Sequence, residues 1–294
     1  MKFKAILQSI RIPFLILTPV CVLLGISIVV FNQHNVDNTI AILILLGALS
    51  AHISVNTLNE YLDFKSGLDL ITKKTKFSGG SGALPDNPEA AMAVLTVGVV
   101  SLVITVIIGV FFIWKYGTAI MPIGIIGILL ITTYTQWINK HPILCLIAPG
   151  IGFGFLIIAG TQFILAGKYD SLSWLIALVP FFLVNNLLLL NQYPDIDSDT
   201  SVGRNHFPIA FGITRSNIVY AVFAGAPILL ITTYVLNNYL PASSLIALLP
   251  MPLAFFALYG AIKYGRNIGC HTQYLGANVA VTLLTPFILA LTIM

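Results

Sequence analysis

Residues 90–113 read AAMAVLTVGVVSLVITVIIGVFFI, a run without one charged side chain. A bilayer core about 30 Å thick is crossed by roughly 20 apolar residues in a helix, so this stretch reads as a membrane span. Comparable stretches lie near 12–31, 39–60, 118–138, 142–165, 173–194, 215–236, 243–262 and 271–292. The alternating pattern of a β-barrel is missing, which leaves helices as the spanning structure. Composition agrees: 58% of residues are hydrophobic and 8% charged, against about 25% charged in a soluble domain. Mean hydropathy is +0.97. The expected fold is an all-α, polytopic membrane protein, a bundle of about nine transmembrane helices around a central cavity, with residues 1–294 forming a single transmembrane domain. The first span reads as a retained helix, since no small-residue cleavage site follows its long apolar run.

The charges orient the bundle. With the amino terminus inside, Lys2, Lys4, Arg11, Lys65, Lys73, Lys74, Lys76, Lys140, Arg204, Arg215, Lys263 and Arg266 all fall inside, and only Lys115 and Lys168 outside. Lys/Arg excess marks cytoplasmic loops, so the chain is expected in the cell (inner) membrane with its amino terminus cytoplasmic. Membrane lipid is the expected surrounding, and no nucleic-acid partner is expected. The three cysteines, Cys21, Cys145 and Cys270, have no metal-site spacing and read as small apolar packers.

Carboxylates are concentrated. Glu60, Asp63, Asp69, Asp86 and Glu89 lie in or after the second span; Asp195, Asp197 and Asp199 end the sixth; only Asp37 and Asp170 sit outside. The two acidic inner segments are also long, and long loops in compact domains tend to carry function. They resemble each other: Asn59-Glu60-Tyr61-Leu62-Asp63 matches Asn191-Gln192-Tyr193-Pro194-Asp195 at Asn, Tyr and Asp. This weak internal repeat suggests two acidic helix ends facing one cavity.

Helical residues four apart share a face, which groups Asn59 with Asp63 and Asn191 with Asp195 and, if the helix persists, Asp199. Asp197 points elsewhere or belongs to the turn. A single Asp of this kind reads as a solvated helix end; the pattern twice on one side argues for a site. Oxygen-only ligands suit a hard ion such as Mg²⁺, which takes one or two carboxylates and completes its shell with water and substrate phosphates. Lys73, Lys74 and Lys76 after the first motif and Arg204 after the second suit phosphate, although the lysines equally fit ordinary positive-inside charge. Ser78-Gly79-Gly80-Ser81-Gly82 offers backbone N–H groups to an anion or is a plain flexible connection. Asn56, Asn185, Asn186 and His52 read as interhelical hydrogen-bonding groups, with a substrate role as the less favoured alternative, and Tyr134 and Trp137 as interfacial aromatics. Lys140 and His206 stand at the inner face.

Residues 59–69, NEYLDFKSGLD, resemble the first Asp-rich motif of the UbiA superfamily of intramembrane prenyltransferases, in the form found in 1,4-dihydroxy-2-naphthoate prenyltransferases. Residues 195–204, DIDSDTSVGR, resemble its second motif. The resemblance implies Mg²⁺–diphosphate ligands at Asp63, Asp69, Asp195 and Asp199, assistance from Asn59 and Asn191, and phosphate binding by Lys73, Lys76, Lys140 and Arg204. It further implies a polyprenyl diphosphate and a small aromatic acceptor as substrates. The pattern departs in three places: Glu60 stands where Asp is usual, Pro194 threatens to kink the sixth span, and Pro149-Gly150-Ile151-Gly152-Phe153 lacks the acid of the menaquinone-branch element.

The implied reaction is Mg²⁺-dependent transfer of a polyprenyl group to an aromatic acceptor within the membrane. The alternatives are a relative that cyclises the chain or uses a non-aromatic acceptor, and an ion-coupled transporter. A transporter wants ionisable groups near the bilayer midplane, and these cluster at one face. An alcohol phosphatidyltransferase is disfavoured because no Asp-Gly-x-x-Ala-Arg stretch occurs.

Overall fold

The computed structural model describes residues 2–294. Their order is α1 (Lys2–Phe31), α2 (Asn38–Lys65), α3 (Pro88–Tyr116), the shorter α4 (Thr118–Thr133), α5 (Pro142–Ala166), α6 (Ser171–Asn191), α7 (Phe207–Leu236), α8 (Ala242–Cys270) and α9 (Thr272–Ile293). All but α4 are long and apolar enough to cross a membrane, and no strand occurs among the described residues. The nine expected spans are therefore present as helices. The two outer carboxylates start helices: Asp37 accepts from the N–H groups of Thr39 and Ile40, and Asp170 from that of Leu172. Each cap satisfies donors that a helix start otherwise leaves open.

Apolar surface is divided between core and lipid. Leu24, Ile28, Ile158, Ile176, Leu183, Ile231 and Leu289 are fully buried, whereas Val99, Val103, Ile107 and Val110 of α3 are exposed along one face. Lipid is as apolar as leucine, so contact in the bundle depends on close packing and polar links. A Cβ on Gly98 would stand 2.9 Å from Leu58, and Ser54 donates to the Gly98 carbonyl at 2.9 Å. Asn56 donates to Ile10 O, Asn186 donates to Tyr220 O, and Asn185 accepts from Gly150 N. These asparagines link helices, as expected. Cys21 and Cys145 are buried as expected, but Cys270 is exposed where α8 ends in a 3₁₀ turn.

Three irregularities shape the acidic end. Helix α1 is interrupted at Arg11, which takes a left-handed conformation (φ 57, ψ 53). In α5, Pro149 lacks an N–H and a π-helical segment begins shortly after it, at Ile151–Leu156. The expected kink at Pro194 is instead a full break: α6 ends at Asn191, and a separate short helix begins at Ile196 and runs to Ser201.

Candidate active site

Both acidic segments open onto one polar chamber of about 500 Å³, lined by Asn59 and Asp63 from the first and by Asn191, Asp195 and Asp199 from the second. Asn59 and Asp63 share a face of the unbroken α2, whereas Asp195 immediately precedes the short helix beyond the break and Asp199 lies within it, Asp199 N bonding to Asp195 O at 2.8 Å.

Arg204 joins the two segments. Its guanidinium donates to Asp199 Oδ1 at 2.9 Å and to Asp63 Oδ1. Burial alone would lower the Arg204 pKa, but Asp63 and Asp199 raise it above its ordinary value. His206 Nε2 lies 3.0 Å from Asp199 Oδ2, so Asp199 is held on both oxygens. The cation expected to meet phosphate thus ties the carboxylates together when they face no other charge.

Loop 72–82 closes the chamber from one side. Gly79 (φ 77) and Gly80 (φ 71) take conformations that side chains disfavour, and a Cβ on Gly80 would stand 2.7 Å from Asp69 Oδ1. The loop's N–H groups are taken up by the protein's own carboxylates. Gly79 N donates to Asp195 Oδ2 at 3.0 Å, and Ser81 N to Glu60 Oε2 at 3.2 Å. Glu60 is fully buried, also accepts from the Ser81 hydroxyl, and meets Arg11 at 3.3 Å. Asp197, as expected, points away and pairs with Arg266 at the surface.

Three of the expected site residues lie outside the chamber lining. Lys73 and Lys140 are exposed and do not line the chamber; Lys74 and Lys76 do. Asp69 is buried behind Gly80 and is not part of the lining. Sequence reasoning also left Arg11 as ordinary inside charge, although it was the one cation at the start of the first span. The burial of Glu60 and the contact of His206 with Asp199 had no sequence signal beyond their positions.

A second, apolar chamber of about 300 Å³ continues from the first. Arg11, Phe14, Asn59, Phe77, Tyr134 and Asn191 line both and form a collar between them. Beyond it the walls are chiefly apolar, with Leu17, Ala48, Ala51, Phe153, Leu156 and Leu283 among them.

The donor set fits a hard divalent cation. Asp195 Oδ1 and Asn191 Oδ1, on residues that line the chamber, are buried without a hydrogen-bond partner. Orphaned oxygens cost free energy unless something meets them. Among the described residues no group of three or more His, Cys, Asp or Glu is arranged to hold a metal ion by itself; a magnesium ion, which typically takes one or two carboxylates, would not need one. Burial, and then the like charge of Asp199, pushes the Asp195 carboxyl up to about 7, partly offset by the Gly79 N–H. Burial, and then Glu60 and Asp63, pushes Asp69 up to about 7. Both are carboxylates short of positive charge.

The fold is thus a helical membrane bundle in which a chamber lined by three aspartates and by Lys4, Arg11, Lys74, Lys76 and Arg204 adjoins a chiefly apolar one. The family emerges from comparison: residues 17–282 match the UbiA prenyltransferase family, and the chain belongs to it. It is 28% identical over 197 residues to a 1,4-dihydroxy-2-naphthoate octaprenyltransferase of Bacillus subtilis, covering 65% of this chain and 60% of that protein's length. A protein of the same name from Haemophilus influenzae is 22% identical over 230 residues, covering 76% and 73% of the two chains. The solved structure of a UbiA homolog from Archaeoglobus fulgidus bound to DMAPP and Mg²⁺ superposes with a TM-score of 0.65 at 15% identity, over 94% of this chain and 98% of that one. This last likeness is one of fold.

Proposed function

We propose that this protein is an enzyme that transfers a polyprenyl group from its diphosphate to a small aromatic acceptor, with Mg²⁺, inside the membrane. The observation that carries the reading is the pair of joined chambers. One gathers carboxylates, Arg204, Lys74 and Lys76, and the other is an apolar space that suits an isoprenoid tail. The relatives named as naphthoate octaprenyltransferases support the aromatic acceptor, and the homolog bound to DMAPP and Mg²⁺ supports the diphosphate and the metal.

In this reading Asp63, Asp195 and Asp199 hold the metal–diphosphate, with Asn59 and Asn191 supplying further polar groups at the collar. When bound, magnesium supplies positive charge against that developing on the leaving diphosphate oxygens. Lys74, Lys76 and Arg204 add fixed positive charge at the same place, where exclusion of water makes it more effective. The C1–O bond of the allylic diphosphate breaks with its electron pair on oxygen, the acceptor ring carbon attacks C1, and the ring then loses a proton. Phe14, Phe77 and Tyr134 at the collar keep out water that would quench the allylic cation. The Lys/Arg excess on the same side supports a chamber that faces the cytoplasm from the cell membrane.

The test is turnover by purified protein of geranylgeranyl diphosphate and 1,4-dihydroxy-2-naphthoate with Mg²⁺. Loss of one metal-holding carboxylate in Asp63→Ala or Asp195→Ala is expected to lower kcat/KM by about a hundredfold or more, as for other losses of transition-state charge stabilisation. Unchanged turnover in both variants removes the site. Diphosphate and a hydrocarbon released without any acceptor would instead assign cyclisation.

A further inference from the structure

His52 lies inside the apolar chamber, seven residues beyond Asn59 on α2 and hence roughly 10 Å past the collar by helical rise. Its Nδ1 is 2.8 Å from Thr18 Oγ1 of α1. Thr18 is fully buried, and its hydroxyl has no other partner among the described residues. A buried hydroxyl proton needs an acceptor, so Thr18 donates to Nδ1 and the ring proton resides on Nε2. Phe153, from the π-helical segment of α5, meets the imidazole edge-on at a centroid distance of 4.8 Å and an interplanar angle of 71°, which fixes the ring plane. Nε2 has no protein hydrogen bond, and it is not among the buried orphan atoms. His52 lines the chamber, so Nε2 is the ring nitrogen left to meet an occupant as a donor, on a wall whose nearest other polar side chain, Asn56 one turn away, is bonded to Ile10 O.

We infer that His52 is a specificity-determining residue, whose Nε2–H favours an unsaturated isoprenoid tail over a saturated one. This rests on the reading of the chamber as the tail site. A tail whose diphosphate sits among the aspartates passes His52 beyond its first isoprene unit. There an unsaturated unit presents a π face that accepts a weak N–H···π bond. A saturated unit covers the same N–H and offers nothing, leaving a desolvated donor. The tautomer also matters for chemistry: with its proton on Nε2, the imidazole turns no lone pair toward an allylic cation in the chamber.

The experiment compares geranylgeranyl diphosphate with phytyl diphosphate, which keeps the allylic head and has saturated later units. Binding to the full chain in lipid nanodiscs with Mg²⁺ is measured by calorimetry. The wild type is expected to bind the unsaturated ligand about threefold to tenfold more tightly, the range given by a weak N–H···π bond and an uncompensated donor. His52→Leu is expected to bind both alike, while His52→Gln, which retains a donor, keeps part of the preference. In ¹⁵N NMR of labelled histidine the wild type shows the Nε2–H tautomer, and Thr18→Val shows a mixture with a smaller preference between ligands. A purely structural role for His52 would weaken both ligands together and leave their ratio unchanged in His52→Leu; that result, or a wild-type ratio of one, overturns the inference. If neither diphosphate binds, the inference falls together with the proposed function. If binding is selective but no aromatic acceptor is prenylated, the proposed function falls alone.

Discussion

The two acidic segments begin alike in sequence and end differently in space. After Asn59 the helix continues through Asp63, then gives way to a loop whose N–H groups bind the protein's own carboxylates. After Asn191 the helix stops, and Asp195 and Asp199 are presented by a separate short helix beside Arg204 and His206. One motif therefore divides its acids between the chamber (Asp63), the support of the loop (Glu60) and a buried place behind Gly80 (Asp69). The other puts two acids into the chamber and turns Asp197 out. Equal motifs in a repeat do not imply equal tasks; the backbone after each motif decides which way its carboxylates face.

Removing Arg204 breaks this comparison most severely, because it is where the two segments meet. Arg204→Ala leaves Asp63 and Asp199 as buried carboxylates without their shared cation, and the expected loss is about 3–5 kcal/mol of stability. Thermal unfolding in detergent without divalent ions measures it, and a loss near zero would show that the pairing is not a structural link. Glu60→Ala comes next. It strips the Ser81 N–H and hydroxyl and the Arg11 guanidinium of their common acceptor, at a cost of about 1–3 kcal/mol. Protease cleavage within residues 72–82 should rise in this variant more than in an Asp197 variant.

A titration sharpens the same contrast. Asp69 and Asp195 have pKa values near 7 in the fold, against about 4 when unfolded. A carboxyl raised on folding binds its proton more tightly in the native state, so metal-free stability falls as pH rises from about 4 and levels off above about 7. Divalent cations need the carboxylates ionised, so added Mg²⁺ should raise the melting temperature more at pH 8 than at pH 6. An equal rise at both would separate Asp195, the one of the two that lines the chamber, from the cation. The smallest effect is expected at Asp197, whose ion pair with Arg266 is exposed. Asp197→Asn should leave turnover within about twofold, since exposed pairs contribute little.

Much of the molecule is legible without coordinates. Nine apolar runs give nine helices, and the carboxylates of residues 59–69 and 191–199 gather at one end, because hydropathy and helical spacing are local properties that a chain in lipid must obey. Even the outer acids have a local meaning, since Asp37 and Asp170 cap the helices they precede. The lysines were the least legible group: Lys73 and Lys74 are neighbours of equal charge, yet only Lys74 lines the chamber. A short turn decides that, and no periodic pattern encodes it.

The sequence by itself determined the bundle, its count of helices and the end at which its acids lie. The tertiary structure decided which partner each acid has. Asp63 meets Arg204 across 141 positions, Gly79 meets Asp195 across 116, and Thr18 meets His52 across 34. Such pairings depend on how helices pack and where they break, at Arg11, at Ile151–Leu156 and after Asn191. Burial then makes them matter: away from water, a charge or a hydrogen-bonding group must find its partner within the protein or its ligand.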